Sequence, residues 1–217
     1  MKKNLIFIGI IVILLIVDIL IYLNLKKESP PLQEKITMPE KTLEGKKVVL
    51  IVSFKDFRDE EYFVPKGILE GAGVEVKTAS NKMGTARGAD GGEVEIDLLV
   101  SELNPALFDA IVFIGGPGAL NQLDNENSYK IANETVSQGK VLAAICISPV
   151  ILAKAGVLSG KKATVWSSAL DRSPIEILKA NGAIYRDEMV VVDGKIITAN
   201  GPAAAQKFAQ AIIETLK

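Results

Sequence analysis

The most nucleophilic side chain in the sequence is its single cysteine, Cys146, and its neighbours decide what it can do. It closes the apolar run KVLAAIC (140–146), and Pro149 opens a helical stretch three residues on. A thiol on a sharp strand-to-helix turn has the geometry of a nucleophile elbow, where the helix amino terminus favours the thiolate. The same position also suits an inert cysteine that fills the core at the end of a strand. Glu60 and Glu61 begin a second helical stretch, DEEYFVPKGILEGAG (59–73), where carboxylates either steady the helix dipole or supply an acid to a nearby site. Gly115 and Gly116, after the run AIVFI, either present backbone N–H groups to a developing oxyanion or form an ordinary tight turn. Trp166, the only tryptophan, fits a core or a pocket wall equally.

What is missing narrows the chemistry further. The chain has no histidine, which removes the usual general base and the usual metal ligand. One cysteine cannot close an internal disulfide. Lys and Arg total 25 against 26 Asp and Glu, so a net charge of -1 provides no field to attract nucleic acid. The Gly115–Gly118 segment is not a phosphate loop, because no Gly-Lys-Ser/Thr follows it, and its spacing does not match the dinucleotide fingerprint. Neither a metal nor a cofactor is expected.

The elements that must position these residues lie in 46–217. The runs 48–54, 74–79, 110–116 and 140–146 are nearly all apolar and rich in β-branched residues, as buried parallel strands are. Helices are expected over 59–73, with Asp59 as cap, and over 125–139, 149–158, 174–182 and 202–217. Residues 83–95 read as a glycine-rich hairpin or excursion, and Asp193-Gly194 marks a hairpin turn within 189–199. The alternation predicts an α/β, flavodoxin-like, doubly wound and mostly parallel sheet sandwiched by helices. In such sheets ligands bind at the carboxyl ends of the strands, where the Asp59–Glu61 turn, the glycine loop and Cys146 all fall.

Residues 1–25 form a separate signal. From Leu5 to Leu25 only Gly9, Asp18, Tyr22 and Asn24 interrupt an apolar run of 21 positions, long enough as a helix (~31 Å) to cross a bilayer. A cleaved signal peptide is the rival reading, but no small-x-small cleavage site precedes Lys26, so an uncleaved single-pass anchor is expected. Lys2 and Lys3 face Lys26 and Lys27 across it, a balance that barely fixes orientation; the domain is placed on the extracytoplasmic side. Residues 26–45, with three prolines and many charges, read as a flexible linker.

Taken in order, the segments DEEYFVP, FIGGPGA, AAICISP with LAKAGVLSGKKAT, and VDGKIITANGP resemble the DJ-1/PfpI family of the class I glutamine amidotransferase-like superfamily. The resemblance implies that Cys146 is the nucleophile and that Glu61, kept protonated, hydrogen-bonds it. It further implies that the Gly116 and Ile147 amides form the oxyanion site, with Gly115, Trp166 and Asn200 as pocket candidates. The protease members have a histidine directly after the cysteine; here Ile147 stands there. That departure disfavours a Cys-His peptidase and a glutamine amidotransferase, and resembles the deglycase-like branch.

The resemblance therefore implies a cysteine-dependent glyoxalase or deglycase acting on reactive dicarbonyls or glycation adducts in stress protection. The alternatives are a redox sensor or chaperone acting through Cys146 oxidation and, last, a peptidase. The expected partners are a small aldehyde or dicarbonyl, the membrane, and a second or further copies of the chain.

Overall fold

The computed structural model describes residues 43–217. The expected span 1–25 and most of the linker lie outside the described residues; among those described, no helix is long and apolar enough to cross a membrane. Residues 43–45 form a turn that belongs to the domain: Leu43 is buried and its N–H donates to the Ala72 carbonyl at 3.1 Å.

The runs read as buried strands form β1 (Lys47–Val52), β3 (Glu75–Ser80), β7 (Ala110–Phe113) and β8 (Val141–Ile145). With β6 (Leu98–Leu99), β11 (Val190–Asp193) and β12 (Ile196–Ala199) they make a seven-stranded sheet in the order β11-β12-β8-β7-β1-β3-β6. Every neighbouring pair is parallel except β11 with β12. Numbering the five inner parallel strands in chain order gives 2-1-3-4-5, the flavodoxin-like winding, whose switch point falls between β1 and β7.

Apolar side chains alternate across the sheet because successive residues of a strand face opposite ways. Val48, Leu50 and Val52 enter one core with Val112, Ala143 and Ile145; Val49 and Ile51 enter the other with Phe113 and Leu142. The first core is covered by α1 (Asp59–Gly71) and by α6 (Ala205–Leu216), whose Phe208 and Ile212 are fully buried. The second is covered by α3 (Glu126–Ser137), α4 (Pro149–Lys154) and α5 (Ser173–Ala180). A further short helix, α2 (Ala119–Leu123), follows the glycine loop.

Two expectations are corrected. Asp59 is the first helical residue of α1, not its cap: Arg58 holds the cap position, and the Asp59 carboxylate accepts from the Asp90 and Gly92 amides at 2.8 and 2.6 Å. Those amides belong to the loop between β4 (Thr85–Gly88) and β5 (Glu93–Glu95), the hairpin expected over 83–95. A short strand that the sequence did not suggest, β2 (Lys55–Phe57), pairs with β4. The helix expected over 149–158 ends at Lys154, where Gly156 at φ 81° turns the chain away. The remaining strands, β9 (Lys162–Ala163) and β10 (Ile184–Tyr185), form a separate parallel pair.

Candidate active site

Three strand ends converge on the site. After β8, Cys146 adopts φ 63°, a left-handed conformation that a residue with a side chain enters only at a cost. Its peptide is clamped on both sides: the Cys146 N–H donates to Ala199 and the Cys146 carbonyl accepts from Trp166, both at 2.8 Å. Ser148 Oγ, fully buried, donates to the Ile114 carbonyl at 2.8 Å and ties the elbow to the end of β7.

After β7, the chain passes through Gly115 and Gly116. A Cβ placed on Gly115 would lie 2.5 Å from Cys146 Cβ and 2.6 Å from Glu61 Oε2, so no side chain fits there. Gly116, at φ 119°, packs against the backbone of Asp56, Phe57 and Arg58. Arg58 in turn donates its N–H to the Gly115 carbonyl at 3.0 Å, fixing the start of α1 to the glycine loop.

That attachment aims the first turn of α1 at the thiol. Tyr62 anchors the turn from behind, bonded to Thr78 Oγ1 at 2.7 Å and packed edge-on against Phe57 with ring centroids 5.5 Å apart. Glu61, one residue before it, is fully buried. Its carboxyl lies where the Cys146 side chain and the Gly115 amide both act on it, yet neither oxygen completes a hydrogen bond of good geometry. Burial dominates and pushes its pKa up to about 7, against the pull of Cys146, the Arg58 charge and the Gly115 amide.

Burial also pushes the Cys146 thiol up, and a Glu61 negative charge pushes it further; the N–H groups of Gly116 and Ile147 pull the other way. With Glu61 neutral the repulsion disappears and the two amides remain to hold an anion on sulfur or on an oxygen bonded beside it.

Cys146 opens to solvent through a pocket of about 360 Å³. Gly116, Ile147 and Trp166 line it, as do Arg58, Pro117, Leu120 and Asn121. The structure thus gathers Cys146, Glu61, Gly115, Gly116, Ile147 and Trp166 around one point. Asn200 is not among the lining residues: it leads into Gly201, and its N–H is spent on the Met189 carbonyl of β11's lead-in at 3.0 Å. Arg58 is the residue that sequence reasoning missed; its signal was its place immediately before the acidic first turn. Among the described residues no three His, Cys, Asp or Glu side chains gather as metal ligands do.

The fold and site define a doubly wound, mostly parallel α/β domain in which a left-handed cysteine elbow, a buried acid and paired backbone donors meet at the carboxyl ends of the strands. The comparisons name the family: the model of the DJ-1/PfpI family matches residues 46–215, and the chain belongs to it. A deglycase of Pyrococcus horikoshii is 36% identical over 169 residues, 78% of this chain and 99% of that protein. A glutathione-independent glyoxalase of Caenorhabditis elegans is 26% identical over 172 residues, 79% of this chain and 89% of that one. Among solved structures, a ThiJ/PfpI domain protein from Brachyspira murdochii superposes with a TM-score of 0.75 at 37% identity, covering 79% of this chain and 98% of that one.

Proposed function

We propose that this protein is a cysteine-dependent enzyme that detoxifies small reactive dicarbonyls or their early adducts on other molecules. The observation that carries the reading is the buried Glu61 carboxyl, poised near pH 7 against Cys146 in a chain without histidine. A group with its pKa near the working pH both takes and gives a proton readily.

With methylglyoxal, Cys146 Sγ adds to the aldehyde carbon, and the Gly116 and Ile147 amides hold the resulting oxyanion until it is protonated to a hemithioacetal. Glu61 then carries the proton of that carbon to the neighbouring ketone carbon through an enediol. The product is a lactoyl thioester on Cys146, which water hydrolyses to lactate and free thiol. Carbon is oxidised at one centre and reduced at the next, so no outside redox partner is required. The names of the deglycase and glyoxalase relatives support this substrate class. The test is lactate formation by the purified full chain: Cys146→Ala is expected to lower the rate at least ~10³-fold. Equal rates in the two proteins would end the proposal.

The same donors suit a cysteine sulfinate, which makes redox sensing the second reading; a two-oxygen mass gain on Cys146 at low peroxide would favour it. We place the domain on the extracytoplasmic side, and the apolar run 5–25 supports a single-pass anchor that holds it to a membrane. Membrane fractionation checks this, since deletion of residues 1–25 is expected to move the protein from pellet to supernatant.

A further inference from the structure

We propose that Arg58 makes the mouth of the Cys146 pocket an anion-recognition subsite, so that the preferred carbonyl substrates carry a carboxylate or comparable oxyanion. This deepens the reading of Cys146 as a carbonyl-capturing nucleophile and rests on it.

Arg58 is the one charged residue among the described residues that line the pocket. Its positive charge acts on the Glu61 carboxyl, lowering its pKa against the larger effect of burial. Its present partner is Asp90, reached by Nη1 at 3.2 and 3.4 Å. The Asp90 side chain is 59% exposed and that of Arg58 33%, so water screens the pair and an incoming anion can compete for the guanidinium. Arg58 presents a planar fork that a carboxylate can meet with two hydrogen bonds. Beside it, Leu120, Ile147 and Trp166 supply an apolar wall for a short carbon chain. Because Glu61 is held neutral below about pH 7, it does not repel such a ligand there. Neutral methylglyoxal would use the wall alone.

Two alkylating reagents with the same leaving group test this without any turnover: iodoacetate carries the negative charge and iodoacetamide does not. The readout is the ratio of their rates at Cys146 in the full chain, at low salt. Arg58→Gln is expected to lower the iodoacetate-to-iodoacetamide ratio about fivefold, and added salt is expected to lower the wild-type ratio. Asp90→Asn, which frees the guanidinium, is expected to raise the ratio. If Arg58 only ties down the β4–β5 loop, the two substitutions shift the ratio alike, and the proposal is overturned; it is equally overturned if neither shifts it. Methylglyoxal turnover is read separately. A shifting ratio without turnover refutes the enzymatic reading and supports the subsite, whereas turnover with a constant ratio refutes the subsite alone.

Discussion

The sheet carries a cleft at each end, both of about 360 Å³, and they differ in almost everything but size. The cleft beside the amino ends of β1 and β3 is walled by Lys47, Glu75, Lys77 and Asp97, charges that face one another in water. Lys47 pairs with Glu75 at 3.5 Å and Lys77 with Asp97 at 3.8 Å, with all four side chains at least 42% exposed. The cleft at the carboxyl ends has one cation, a strained cysteine and, behind it, a carboxyl with no completed hydrogen bond. Volume therefore does not mark the site. What marks it is that the fold tolerates an unpaired acid and a left-handed cysteine at one end and nothing comparable at the other.

The contrast extends to pH. For Glu61 the folded-state pKa of about 7 lies above the ordinary 4.5, so the folded state holds the proton more tightly. Its contribution to stability is fully present below pH 4.5 and is lost as pH rises to about 7. At the amino ends the sign is reversed: burial alone would raise Asp109, but the Lys47 amide and the Lys46 ammonium bring it below 3.8, so its contribution persists above that value.

The largest effect expected from breaking the contrast comes from Glu61→Gln. The stability difference between variant and wild type should move by about 3 kcal/mol in the variant's favour from about pH 4 to about pH 8, since the gap between 4.5 and about 7 disappears. Denaturant unfolding at several pH values measures it, and a difference that stays flat would show that Glu61 is not held as a buried acid. Smaller and more local is Gly115→Ala at the carboxyl end. Its Cβ has no room beside Cys146, so a loss of about 1–3 kcal/mol should accompany loss of turnover. Gly139→Ala, just before β8 at the amino end, sharpens the comparison with the least effect. Gly139 has φ 63° and open space within 4 Å of where a Cβ would lie, so only conformational strain of about 1–2 kcal/mol is expected, with turnover retained. Melting curves and lactate assays on the pair separate crowding at the site from backbone strain away from it.

Much of this arrangement is legible in the sequence because it rests on local signals. The strands β1, β7 and β8 stand out because both their faces are buried, which leaves near-continuous apolar runs. The elbow is visible because a strand ends and a proline opens a helix within three residues. The hidden parts depend on distant partners. β2 is three residues long with Lys55 and Asp56 in it, and it exists only because β4 lies alongside. Asp59 reads as a cap, but the amides that claim it lie at Asp90 and Gly92, more than thirty positions on. Arg58 gains its place over the pocket from its bond to Gly115, which no spacing reveals. Asn200 is not among the residues that line the pocket, and its backbone N–H is held by the Met189 carbonyl.

The bond between the Trp166 amide and the Cys146 carbonyl gives the protein an optical property. Trp166 is the only indole in the chain, and it forms part of the pocket wall. Emission excited beyond the tyrosine band therefore originates beside Cys146 and nowhere else. An adduct on Cys146, or the proposed anion by Arg58, would change the polarity around that one fluorophore, so that occupancy of the site would be readable in unlabelled protein.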